Sequence, residues 1–304
     1  MPLPDSFIRT VSLTFDGGAE WLARLPGLIA ACEARWGLAV QPHFPGLSYN
    51  YAAPATLGDG TEIVLKLGVP RHELTTEIEA LKLYNGRAMC HLLDADAAMG
   101  VLLLERLQPG HMLITVSDDE TATRLAADVM RRLWRPLPEQ HIFPAAADWI
   151  ADLAALRTEF DGGAGPFPAR LVEMAESLFA DLVASSAPPV LLHGDLHHYN
   201  ILAAEREPWL AIDPKGVAGE PAYEVGALMR NPLNLHEWPN RTAVTTRRLD
   251  ILAEQLEMDR QRLLAWSFAQ EILSQWWDYI DTHSQPNMWL AECLAGMLGE
   301  QVRG

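Results

Sequence analysis

The chain has 304 residues, 49% of them hydrophobic and 21% charged, a composition with enough apolar material for one large core or two lobes. Its formal net charge of −17 argues against nucleic acid or an anionic membrane as partner, since both need clustered Lys and Arg. The three isolated cysteines (Cys32, Cys90, Cys293) give no disulfide framework, and no apolar run approaches a membrane span. The N-terminus shows no basic segment followed by an apolar one, so no signal peptide is expected. A soluble, cytoplasmic protein is the expectation.

In chain order, 46–55 and 61–69 read as strands around the Asp-Gly turn of "TLGDG". Residues 73–84 switch to helical period, with Leu74, Ile78 and Leu81 on one face. "GVLLLERLQPG" (100–110) reads as a buried strand that ends at Pro109-Gly110. Beyond 115 the pattern is mainly helical, opening on a Ser117/Glu120 capping box before Leu125, Val129 and Leu133. Further helices are predicted near 145–160, 168–185, 221–230, 243–256, 259–282 and 286–301. The exception is 190–213, where apolar runs flank "AEREP" as a hairpin would. The organisation is α+β, a small strand-rich lobe over 1–107 and a larger helical lobe over 108–304.

The stretch "LLHGDLHHYNIL" (191–202) concentrates the polar chemistry. A metal hydrolase could use His193 and His197 with Asp195 or Asp213, but a four-apart pair faces one way only on a helix, and His-Gly-Asp is a poor helix. A serine hydrolase would need a nucleophile elbow, and "GLSYN" (46–50) lacks its second glycine. A polar loop whose histidines satisfy buried backbone groups is the plain alternative. Phosphoryl transfer fits the spacing: Asp195 as acceptor of the substrate proton, Asn200 five residues on, and Asp213 ending the next apolar strand. Two acids and an amide suit oxygen-ligated Mg²⁺. In the small lobe Lys66 lies among apolar strand residues. Helix phase selects Glu77, beside the buried stripe, over Glu73 and Glu79 as its partner.

These segments, with "AIDPKGVAGEPAYEVGALMRNP", resemble the aminoglycoside phosphotransferases, specifically the streptomycin 6-phosphotransferase and hydroxyurea kinase branch. The resemblance implies a two-lobed protein-kinase-like fold that binds ATP and Mg²⁺ between an N-terminal nucleotide lobe and a C-terminal catalytic and acceptor lobe. It makes Asp195 the catalytic base and Asn200 and Asp213 the metal ligands. It makes Lys66 the phosphate-contacting lysine, Glu77 its helix partner, and Glu105 to Leu107 the adenine-binding linker. His193 becomes a support for the catalytic loop, with Glu220 as cap and Pro221 at the first position of a buttressing helix. The chain departs from the protein-kinase pattern in lacking GxGxxG, so that Ser48, Tyr49 and backbone N–H groups would cover the phosphates. It departs again in following Asp213 with Pro-Lys-Gly.

For the acceptor, Glu271, Asp278 and Asp281 are spaced to share a helix face near Trp276, Trp277 and Tyr279. That face suits a cationic small molecule, or it is a solvated surface over a tryptophan-rich core. The expected activity is phosphorylation of an aminoglycoside such as streptomycin. Other outcomes left open are a metabolic kinase for hydroxyurea or another hydroxylated amine, and a nucleotide-binding regulator without turnover.

Overall fold

A computed structural model describes residues 2–300, which divide into two compact units, 2–110 with Ala204–Arg206, and His111–Ala203 with 207–300. No helix among the described residues is long and apolar enough to cross a membrane.

The first unit opens with α1 (Asp5–Thr14) and α2 (Gly18–Trp36), followed by β1 (Leu38–Val40), β2 (Tyr51–Leu57), β3 (Glu62–Leu67), α3 (His72–Tyr84), β4 (Leu92–Asp96) and β5 (Val101–Glu105). The strands form one sheet in the order β1-β2-β3-β5-β4, with β2 and β3 paired antiparallel across the Asp-Gly turn. The first of the expected strands, β2, starts at Tyr51 rather than 46, because the chain bends through Gly46, held at φ 74°, to Asn50. The two N-terminal helices stand where no element was expected. Leu25-Pro26-Gly27 reads as a turn, yet Pro26 lies inside α2. Burial of Trp21, Leu25 and Cys32 against the sheet residues Ala53, Ile63 and Leu65 outweighs that local preference.

β6 (Pro109–Met112) leads into the second unit, which is mainly helical: α4 (Asp119–Leu133), α5 (Ile150–Glu159), α6 (Ala169–Ala184), α7 (Val225–Met229), α8 (Arg241–Leu256), α9 (Arg260–Thr282) and α10 (Trp289–Glu300). β7 (Arg135–Pro136), β8 (Val190–Leu192), β9 (Ile201–Ala204), β10 (Trp209–Ala211) and β11 (Val217–Gly219) interrupt the helices. β9 and β10 pair as the hairpin around "AEREP", and β8 sits between β7 and β11. α9 packs against α6, α7, α8 and α10, so Leu263 to Leu273 are buried on every side, as expected of a central helix.

Two local expectations are corrected. The cap of α4 is Asp118, whose carboxylate accepts from Thr121 N at 2.9 Å, not Ser117; Glu120 instead meets Arg124 and Arg247. Glu220 does not cap the turn that Pro221 begins. Its buried carboxylate is taken by Arg262 at 2.7–2.9 Å and by the Trp266 indole, both on α9. A second buried charge ties α8 to α4: Arg248, fully buried, donates to Asp119 at 2.9 Å and to the Leu228 and Asn231 carbonyls. Asp119→Ala leaves that guanidinium held only by carbonyl dipoles. It should cost about 3 kcal/mol in a denaturant titration; a loss within experimental error would mean the carbonyls alone suffice.

Candidate active site

The catalytic-loop sequence leaves β8 and turns at Gly194, which only glycine fits. Its φ is +83°, and an added Cβ would come within 2.5 Å of Val217 Cγ2. His193 is fully buried. Its Nε2 lies 2.8 Å from the Ile212 carbonyl, and its Nδ1 accepts from Asp195 N at 3.2 Å. Burial pushes the His193 pKa down to about 4, so the ring is neutral and spans from β10 to the Asp195 backbone. Both nitrogens are thus engaged, which removes His193 as a metal ligand and with it the histidine-based hydrolase.

Beneath the loop lies Glu224, a buried carboxylate that accepts from His193 N at 2.8 Å and Gly194 N at 2.9 Å. Burial raises its pKa to about 7, against the lowering effect of those two N–H groups. Sequence reasoning missed it; the signal available was one acid in the otherwise apolar run "AYEVGALM".

Asp195, Asn200 and Asp213 are brought together by backbone pairing. Asn200 Nδ2 donates to the Asp195 carbonyl at 3.0 Å, which leaves its amide oxygen as the donor atom for a cation. Ile212 N donates to the Asn200 carbonyl at 3.0 Å, so Asp213 emerges beside it. Asp213 is held at φ 64°, a left-handed conformation that aspartate tolerates better than most residues, and Lys215 N then bonds back to the His193 carbonyl at 2.8 Å. The set is oxygen only, as a hard divalent cation requires.

Two cationic side chains, Arg230 and Lys215, surround the Asp195 carboxylate together with His197, whose pKa burial lowers. Arg230 Nη2 is 3.3 Å from Oδ1, while Lys215 Nζ and His197 Nε2 are 3.9 and 3.8 Å from Oδ2. Burial opposes ionisation of Asp195, but Lys215, His197 and Arg230 outweigh it and hold the carboxyl well below the usual range. Sequence reasoning did not select Arg230, and no spacing rule would have found it.

In the first unit Lys66 Nζ lies 2.6 Å from Glu77 Oε1, both buried, while Glu79 pairs with Lys82 on the surface. Ser48 is exposed in the loop before β2. Glu105 and Leu107 line one cleft with Arg206, which holds the Glu105 carboxylate at 2.9 Å. The Glu105 N–H is already given to the His91 carbonyl.

The three acceptor candidates do not form one solvated face. Glu271 is only 3% exposed in the packed middle of α9, whereas Asp278 and Asp281 are exposed near its end. Burial pushes the Glu271 pKa up to about 7. A raised carboxyl pKa contributes stability below its unfolded value of about 4.5 and loses it as pH climbs through 7. The melting temperature of Glu271→Gln relative to wild type should therefore rise between pH 4.5 and 7. A constant difference across that range would contradict the burial argument.

Residues 43–281 match the family described as aminoglycoside/hydroxyurea antibiotic resistance kinase. Streptomycin 6-kinase of Streptomyces griseus is 34% identical over 92% of this chain and 91% of its own. Hydroxyurea phosphotransferase of Kitasatospora aureofaciens is 33% identical over 95% and 85%. Among solved structures, a choline/ethanolamine kinase family protein from Mesorhizobium loti superposes with a TM-score of 0.63 at 15% identity, covering 93% of this chain and 95% of that one. Aminoglycoside phosphotransferase APH(4)-Ia in a ternary complex with ADP and hygromycin B gives 0.62 at 14%, over 89% and 97%. The fold is thus protein-kinase-like, and the chain belongs to the aminoglycoside/hydroxyurea antibiotic resistance kinases, enzymes that phosphorylate small molecules on hydroxyl groups.

Proposed function

We propose that this kinase transfers the γ-phosphate of ATP to a hydroxyl of a cationic aminoglycoside, with streptomycin as the acceptor. The observation that carries this reading is the backbone-fixed Asp195 beside the oxygen donors Asn200 and Asp213, in a chain 34% identical to a streptomycin 6-kinase over nearly its whole length. ATP is a cytoplasmic metabolite, and the activity is assigned to that compartment.

Asn200 and Asp213 would hold Mg²⁺, which neutralises phosphate charge when bound. Asp195 orients the acceptor hydroxyl and takes its proton. Its strongly depressed pKa makes it a weak base, suited to a loose transition state in which the proton moves late. Lys66, held by Glu77, contacts nucleotide phosphate, and Ser48 with its neighbouring backbone covers it. The adenine is recognised along Glu105–Leu107, chiefly through the Leu107 backbone. Asp278 and Asp281 offer exposed carboxylates to the acceptor's guanidinium groups, and Trp277, under Lys215, adds an aromatic wall.

A second reading, transfer to hydroxyurea or another hydroxylated amine, is favoured by the 33% identity to a hydroxyurea phosphotransferase. Steady-state kinetics with both acceptors separates the two. Asp195→Asn should lower kcat by roughly 10²–10⁴ with nucleotide binding retained. Asp278→Asn should raise the streptomycin KM by about tenfold, the loss of one charge-assisted contact. Near-normal turnover of Asp195→Asn would sink the base assignment. A wild type that ignores streptomycin and phosphorylates hydroxyurea would give the second reading its place.

A further inference from the structure

Two features around Asp195 are left unexplained by the reaction. The guanidinium of Arg230, at the end of α7, makes one hydrogen bond among the described residues, the 3.3 Å contact to the very carboxylate that must receive the acceptor. Glu271, on the facing helix α9, carries an unsatisfied atom. Its Oε1 accepts from Gln275 at 3.0 Å, while Oε2 is buried with no hydrogen-bond partner among the described residues. The charges acting on Glu271 are Arg230, which favours its ionised form, and Asp278 on its own helix, which opposes it. A buried carboxylate oxygen without a donor is costly. It is also sealed from solvent, so a dissolved guanidinium cannot reach it as it stands. A side chain of the protein itself can.

We propose that Arg230 is a specificity-determining residue with two seats: it holds Asp195 in the free enzyme and transfers to Glu271 Oε2 when a cationic acceptor takes its place. The inference rests on the cationic-acceptor reading. An acceptor guanidinium or ammonium near Asp195 and Asp278 would be repelled by Arg230, and the same repulsion drives Arg230 towards Glu271, a buried acid on which its charge already acts. On arrival the protein gains the missing donor for Oε2, Glu271 ionises, and its proton passes to solvent. Asp195 keeps its charge throughout and is left open to the acceptor hydroxyl. A neutral acceptor supplies no repulsion and leaves Arg230 across the base, so the device selects for positive charge.

The first seat can be removed without any acceptor. In Asp195→Asn, infrared spectroscopy at about pH 6 should show loss of the protonated-carboxyl band that Glu271→Gln identifies. The band should return in Asp195→Asn/Arg230→Gln. A Glu271 band unchanged by Asp195→Asn overturns the proposal. With acceptor, titration of wild type by streptomycin in two buffers of different ionisation enthalpy should report proton release, absent from both Arg230→Gln and Glu271→Gln. Glu271→Gln should raise the streptomycin KM by about tenfold, with no further rise when introduced into Arg230→Gln. Equal effects in both backgrounds would mean that Glu271 acts without Arg230 and would also overturn it. A wild type whose band responds to Asp195→Asn but which neither binds nor phosphorylates streptomycin would instead sink the acceptor reading.

Discussion

One buried carboxylate organises the reaction centre. Glu224 accepts two consecutive backbone N–H groups, those of His193 and Gly194, at the point where the chain leaves β8. Two adjacent N–H groups point the same way only if the backbone is bent sharply, and Gly194 at φ +83° supplies that bend. The bend turns His193 inward, where it bridges the end of β10 to the Asp195 N–H. Asn200 then closes the loop onto the Asp195 carbonyl. Each link is a hydrogen bond that would be buried and unsatisfied if the previous one were lost, so the loop has a single conformation rather than a family of them.

The charge around Asp195 follows from that geometry. A carboxylate fixed by its backbone cannot retreat from solvent or from its neighbours. Lys215, His197 and Arg230 gather on it because the Asp213–Gly216 turn and the end of α7 close over the same point. The result is an aspartate that is always ionised and weakly basic. In the proposed reaction such a group would align the acceptor hydroxyl and take its proton only as phosphate transfer demands it.

Much of this was legible in the sequence wherever period or spacing carries it. The Lys66–Glu77 pair follows from helix phase alone, since Glu77 flanks the buried stripe and Glu79 does not. The β9–β10 hairpin follows from two apolar runs around a polar turn. What escaped depends on tertiary partners. Glu224 reads as a polar interruption of an apolar run until its two backbone donors arrive from a segment thirty residues earlier. Glu220 looks like a cap until Arg262 and Trp266 claim it. Glu271 has the spacing of a surface acid, but α9 is enclosed by four other helices there, and burial overrides the pattern. Helix α2 was hidden by Pro26, a local stop signal that packing of Trp21 and Leu25 overcomes.

The turnover number of Glu224→Gln tests the account most directly. The substitution keeps the size and burial of the side chain but turns an amide N–H₂ towards a backbone N–H that needs an acceptor. If the carboxylate sets the loop, kcat for phosphate transfer should fall by about 10²-fold, while the circular dichroism spectrum and the KM for ATP stay close to wild type. A folded Glu224→Gln enzyme with kcat within twofold of wild type would show that the loop holds itself, and would contradict the account.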